Sequence, residues 1–266
     1  FPEKDRTIVM RSFIFNIAYW SVSGVYAIVC AALALFPGRT VLMHGLRSYS
    51  RATLHLMRWI CGIKVEVRGT PPKDQPVVIG AKHQSWGDGI VMMAKCGDVN
   101  FVCGDHMLKF PLIGWVLKRC GAIVLSNQGG TAARESLMDG IVRSQGEGRP
   151  RPVLIYPEGH LTPVGTGMRY RSGVWHMARA LERPIIPVAT NLGQCWPQQK
   201  WTKFKGTAVI EFLEPIMPGD DRDLALATLE RRVETRSRQL EAEFAPRHKA
   251  SQGDTVSTTD EARICA

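Results

Sequence analysis

The chain has no G-x-S-x-G turn, so nothing in it supports an acyl-serine intermediate. It has no C-x-x-C pair, and no two histidines at the i, i+4 spacing of a metallohydrolase helix. Zinc-finger and RNA-recognition signatures and long basic runs are missing as well, which makes nucleic acid the poorer partner for a net charge of +10. There is no internal repeat. The cysteines, at 30, 61, 96, 103, 120, 195 and 265, are odd in number and several sit in apolar surroundings. They read as free thiols in a reducing compartment, without the context of a nucleophile. Formal charge is absent from Ser12 to Phe36. As a helix that stretch would be roughly 38 Å long, enough to cross a bilayer. A signal peptide is a poorer fit, because the run is long and no A-x-A site follows.

With 266 residues, 45% hydrophobic and 22% charged, the chain has room for one large domain with an appendage. It opens on Phe1 rather than Met, as a trimmed or incomplete product would. Short runs rich in Val and Ile predict strands at Ile63–Val67, Val77–Ile79, Asn100–Cys103, Ala122–Leu125, Val153–Tyr156, Ile185–Ala189 and Ala208–Phe212. Helical runs lie between several of them, notably Thr131–Ser144 and Gly173–Leu181. This alternation predicts an α/β fold with a mostly parallel central sheet flanked by helices. Asp220–Glu243 reads as a charged helix with an acidic start. The expected organisation is an N-terminal membrane-anchoring helical segment over 1–61, a catalytic domain over 62–245 and a disordered tail over 246–266.

Basic residues flank the apolar stretch on both sides: Lys4, Arg6 and Arg11 before it, Arg39, Arg47, Arg51 and Arg58 after it. The positive-inside rule then points both ways. A segment that enters the membrane and returns to the same face would satisfy both sets, with bends permitted at Gly24 and at Pro37-Gly38. On a helical wheel Arg47, Arg51 and Arg58 fall at about 0°, 40° and 20°, one narrow face suited to anionic headgroups or to solvent.

The chemistry-bearing stretch is His83-Gln84-Ser85-Trp86-Gly87-Asp88, directly after a predicted strand. A histidine there can serve as a general base near neutral pH, and a carboxylate one tight turn away can fix its tautomer. A second block, Tyr156-Pro157-Glu158-Gly159-His160, ends another strand. Alone, His83 could be a buried structural histidine, Asp88 a helix cap and Glu158 a solvated turn carboxylate. A metal site built from His83, Asp88 and His160 is conceivable, but the pattern favours none.

Four blocks in order resemble the glycerolipid acyltransferases, the family that includes lysophosphatidic acid acyltransferase. They are the H-x4-D of His83 and Asp88, then Phe101–Leu125 with Pro111-Leu112-Ile113-Gly114-Trp115, then Tyr156-Pro157-Glu158-Gly159, then Ile185-Ile186-Pro187-Val188. The match runs from about Lys64 to Pro215. The resemblance implies a membrane-bound O-acyltransferase with His83 as base and Asp88 as its orienting partner. Its co-substrate would be an acyl-CoA or acyl carrier protein thioester, with no other cofactor. Its acceptor would be a lysolipid, by default 1-acyl-glycerol-3-phosphate. Partners are then membrane lipids, the lysolipid and the acyl carrier, at the cytoplasmic face of the inner membrane. Backbone N–H groups near Gly87 and Gly89 are candidates for stabilising the thioester oxygen.

Glu158, Gly159, His160, Arg169 and Arg171 are the candidate acceptor-binding residues, Glu158 either touching the acceptor or organising the site. The chain departs from the family where cations are expected to hold the acceptor's phosphate. Lys82 replaces the usual Asn before the histidine, Gly104 a usual Lys, Asn127 a usual Arg, and Glu158-Gly159-His160-Leu161 the usual E-G-T-R. Arg169, Arg171 or Lys82 would then compensate. Otherwise the acceptor is a phosphate-free lysolipid such as lyso-ornithine lipid, or the chain is a silent lipid-binding relative. Pro111, Leu112, Ile113 and Trp115 line an acyl groove or belong to the core, the core being the commoner outcome.

Overall fold

The computed structural model describes residues 3–73, 75–126, 130–145, 151–198 and 200–245. Two helices open the chain, α1 (Glu3–Leu33) and α2 (Thr40–Leu56), the latter followed by a π-helical turn, Met57–Cys61. Helix α1 runs through Gly24 without a break, so the expected bend there is not made. With no backbone donor lost, a lone glycine weakens a helix without ending it. The reversal comes at Pro37-Gly38, where Gly38 takes φ +75°, and α2 returns along α1 as a helical hairpin. Gly62 ends the π turn in the left-handed region, φ 69°. A side chain there would be strained and would press on Lys205.

The body then alternates: β1 (Ile63–Arg68), β2 (Val78–Ala81), α3 (Asp88–Cys96), β3 (Asn100–Gly104), α4 (Pro111–Arg119), β4 (Ile123–Leu125), α5 (Gly130–Gln145) and β5 (Val153–Ile155). It continues with α6 (Gly173–Ala180), β6 (Ile185–Thr190), α7 (Leu192–Cys195), β7 (Gly206–Phe212) and α8 (Arg222–Glu243). The seven strands form one sheet in the order β1-β7-β6-β2-β5-β3-β4. Every pairing is parallel except β6 with β7.

Helices cover both faces, which is why the strands read as continuous Val/Ile runs rather than as alternating ones. Successive residues of a strand point to opposite faces. Val78 and Val153 accordingly enter the layer with Met177, Leu229 and Val233, while Ile79 and Leu154 enter the layer with Phe15, Val91 and Trp196. Phe15 belongs to α1 and is fully buried, its ring edge-on to Trp196 at 5.2 Å. Nearby, Ser12 Oγ accepts from the Lys203 N–H at 2.9 Å, and Asn16 Nδ2 donates to the Trp201 carbonyl at 3.0 Å. One side of α1 is thus part of the body's core.

The opposite side of α1 is apolar and exposed at Phe13, Ile14, Ile17, Trp20, Val25 and Ile28. Beside it, α4 exposes Leu112, Ile113 and Trp115, with Pro111 also on the surface. The expectation that these belong to the core is wrong. Gly114 and Val116 are the residues α4 buries, and the apolar face lies outward.

Candidate active site

Strands β2 and β5 are neighbours in register, Gly80 beside Ile155. Their C-terminal ends therefore bring the H-x4-D loop against the Tyr-Pro-Glu-Gly loop. This is the end of an open parallel sheet at which ligands bind.

His83 Nδ1 lies 3.0 Å from Asp88 Oδ2. That oxygen also accepts the backbone N–H groups of Gln84 and Ser85, at 2.7 and 2.8 Å. Asp88 is the first residue of α3 and is buried. Fixing it from three directions leaves the imidazole one tautomer, with Nδ1 toward Asp88 and Nε2 left for a substrate. The His83 ring lies flat on Tyr156, centroids 3.9 Å apart and planes 13° from parallel. The Tyr156 hydroxyl is buried without a partner. Burial raises its pKa well above the ordinary phenol value, and the charge of Asp88 adds to the effect. It stays protonated, so its ring serves as a platform.

Glu158 is wholly buried. One oxygen accepts from Lys82 Nζ at 2.6 Å and from Thr162 Oγ1 at 2.7 Å. The other accepts the His83 N–H at 2.8 Å. The His83 carbonyl in turn accepts the Thr162 N–H at 2.8 Å. Both backbone polar groups of His83 are therefore held by one loop. Of the two roles open to Glu158, its position is that of an organiser; no surface of it is left for an acceptor.

Lys82 is buried too, and its ammonium also reaches Glu234 Oε1 and Oε2 at 2.8 and 3.1 Å and the Thr166 carbonyl at 3.0 Å. Every donor it has is spent on the protein, so Lys82 does not supply the phosphate cation. Arg171 is placed differently. Gly159 adopts φ +74°, and a Cβ there would sit 2.8 Å from the Arg171 guanidinium. The glycine lets that group fold over the turn, where Nη2 is 3.2 Å from His160 Nδ1. Arg171 and His160 are both exposed. Arg169 is exposed as well, outside that turn.

Gly104 ends β3, Leu161 is half-buried, and Asn127 lies outside the described residues, as does the 246–266 tail. The Gly87 N–H donates to Ser85 Oγ at 3.0 Å, so it is already used within its own loop. Among the described residues no three His, Cys, Asp or Glu side chains are grouped to hold a metal ion. The Cys103 and Cys195 thiols are pushed up to about 11 by burial, which keeps them protonated and poor nucleophiles.

The sequence reading missed Glu234 and its neighbours on α8. Glu230 accepts the Tyr170 N–H at 3.1 Å, Glu234 holds Lys82, and Glu241 accepts from Gln84 Nε2 at 2.6 Å. The spacing 230, 234, 241 places the three on one helix face. That spacing was visible in the sequence; what it faced was not.

A histidine–carboxylate dyad at the end of a parallel sheet is an arrangement suited to base catalysis, and the one serine in its loop, Ser85, is buried with its hydroxyl accepting the Gly87 N–H. The family model described as Acyltransferase matches residues 62–191. The 1-acyl-sn-glycerol-3-phosphate acyltransferase of Pseudomonas aeruginosa is 27% identical over 240 residues, 87% of this chain and 91% of the relative. The enzyme of that name from Saccharomyces cerevisiae is 25% identical over 73% of this chain and 64% of its own length. The crystal structure of the 1-acyl-sn-glycerophosphate (LPA) acyltransferase of Thermotoga maritima superposes with a TM-score of 0.72. It is 18% identical, and the match covers 89% of this chain and 99% of that one, a likeness of fold. Residues 62–191 thus carry an acyltransferase domain, and the chain is an enzyme of the lysophosphatidic acid acyltransferase type.

Proposed function

We propose that this enzyme moves a fatty acyl group from a thioester, acyl-CoA or acyl carrier protein, to the free hydroxyl of 1-acyl-glycerol-3-phosphate. The observation that carries the reading is the Asp88–His83 pair with Arg171 and His160 at the rim of the same loop. His83 Nε2 takes the hydroxyl proton as the oxygen attacks the thioester carbonyl. The tetrahedral intermediate then expels the thiolate, which takes the proton back from the imidazolium. Asp88 stabilises that cation, and such base catalysis is typically worth about 10²–10⁴-fold. Arg171 meets the acceptor's phosphate bidentately, beside His160.

A phosphate-free lysolipid is the second reading, favoured by neutral Gly104 and Leu161. A panel of lysolipids with one labelled acyl donor, read by mass spectrometry, separates the two. Robust activity on a lyso-ornithine lipid with none on lysophosphatidic acid would overturn the first.

The reaction takes place at a membrane surface in this reading. Helix α1 is long and apolar enough to span, and only 17% of its most apolar window is buried in the protein. Its inner face is docked on the body from Ser12 to Ala34, and a simple span would drag that body into hydrocarbon. The geometry suits a helix lying in the interface with its outer face in lipid; the cytoplasmic face of the inner membrane is the side proposed from the family resemblance alone. Phe13→Asp with Ile17→Asp should release the protein from vesicles while detergent-solubilised activity persists. Retention of the variant in carbonate-washed membranes would support a span instead.

A further inference from the structure

The mechanism leaves unused the buried cation next to the base. Lys82 lies between two carboxylates from distant parts of the chain, Glu158 at 2.6 Å and Glu234 at 2.8 Å, and it is 1% exposed. A buried ion pair is seldom kept for stability alone, because desolvation consumes most of the attraction. Its value lies in what it fixes. Glu158 uses its second oxygen to hold the His83 N–H, and Thr162, which donates to the first oxygen, holds the His83 carbonyl. Lys82 itself is anchored at both ends, its N–H bonded to the Val188 carbonyl of β6 at 3.0 Å and its ammonium to α8. Glu234 has a further partner, the Tyr170 hydroxyl at 3.1 Å. The chain of contacts runs from α8 through Glu234, Lys82 and Glu158 to the backbone of His83. No member of it other than His83 faces the acceptor.

We propose that Lys82 is a positioning residue: by clamping Glu158 against α8 it sets the height and tilt of the His83 imidazole over Tyr156. The proposal rests on His83 acting as the base. A base displaced by a fraction of an ångström loses rate and keeps substrate affinity. Lys82→Met should therefore lower kcat about 30- to 100-fold. The KM values for acceptor and thioester should stay within about threefold. Glu234→Gln keeps the Lys82–Glu158 pair and should cost kcat no more than about fivefold.

Lys82→Met strands two carboxylates, so it will also lower Tm, and the double variant Lys82→Met/Glu234→Gln controls for this. It removes one stranded charge and should recover much of the Tm while remaining as slow as Lys82→Met. If Lys82→Met does not accumulate, the double variant and Glu234→Gln still decide.

Recovery of both Tm and kcat in the double variant would overturn the proposal, since Lys82 would then only balance charge. A raised acceptor KM with kcat intact would overturn it too, by making Lys82 a phosphate ligand. The kinetics use whichever lysolipid the wild-type enzyme turns over, so an error in the acceptor leaves this test standing. His83→Ala run alongside tests the base itself; an active His83→Ala refutes the site reading before the Lys82 data are considered.

Discussion

Glu158 and His160 are two residues apart and live in different media. Glu158 is buried with every oxygen engaged, held by a lysine, a threonine and the backbone of the base. His160 is exposed, and its ring meets the equally exposed Arg171. Between them Gly159 turns the chain in a left-handed conformation. The inner side of this loop holds the backbone of His83; the outer side is the one proposed to meet the acceptor. The difference teaches where change is tolerated. A substitution inside breaks a closed set of bonds, each costly to leave unmade. A substitution outside exchanges one solvated contact for another. The departures from the family's cationic pattern at Gly104 and Leu161 can accordingly coexist with an intact His83–Asp88 pair.

That contrast can be broken at graded points. The largest effect is expected from His83→Ala, a fall in kcat of about 10²–10⁴-fold on folded, detergent-solubilised protein, because general-base catalysis is lost. A variant within a few-fold of wild type would end the mechanism. Asp88→Asn should fall less far, since the base remains but is poorly oriented; comparable initial rates for the two variants would show that Asp88 does more than orient. On the outer side, Arg171→Gln should raise KM for lysophosphatidic acid about tenfold, the lower end of a lost charge-assisted bond, with kcat nearly unchanged. An unchanged KM would remove the phosphate role from Arg171. Arg169→Gln should leave KM within about twofold, because Arg169 is an exposed side chain outside the Gly159 turn. An effect as large as that of Arg171→Gln would show that both arginines bind. The smallest effect belongs to Tyr156→Phe, which keeps the stacked ring and deletes a buried hydroxyl without a partner. Tm should hold or rise slightly, a change under about 1 kcal/mol, and a marked loss of rate would give that hydroxyl a chemical role.

The seven strands were legible because buried parallel strands write themselves as apolar runs, and each begins within two residues of its predicted start. The His83–Asp88 pairing was legible because the two are five residues apart, inside one loop. Glu234 was not, because it meets Lys82 across 152 residues of chain and nothing local marks it. Lys82 was noticed as a cation in an unusual place and read as a free one. Its burial, which is a property of the assembled sheet and of α8, gives it the opposite role. The apolar face of α4 misled for a related reason: Leu112, Ile113 and Trp115 look like core until the neighbouring apolar face of α1 is seen turned the same way, outward.

The acidic face of α8 has a consequence for how the protein is made. The loop bearing His83 leaves the ribosome long before Glu230, Glu234 and Glu241 are translated, and domains fold as units while synthesis proceeds from the N-terminus. Through that interval α1 is already synthesised with its apolar outer face, while Lys82 and Gln84 still await their carboxylates. If the proposed membrane docking holds, a nascent chain would reach the bilayer before its site is braced. The catalyst is locked only when its last described helix closes over it.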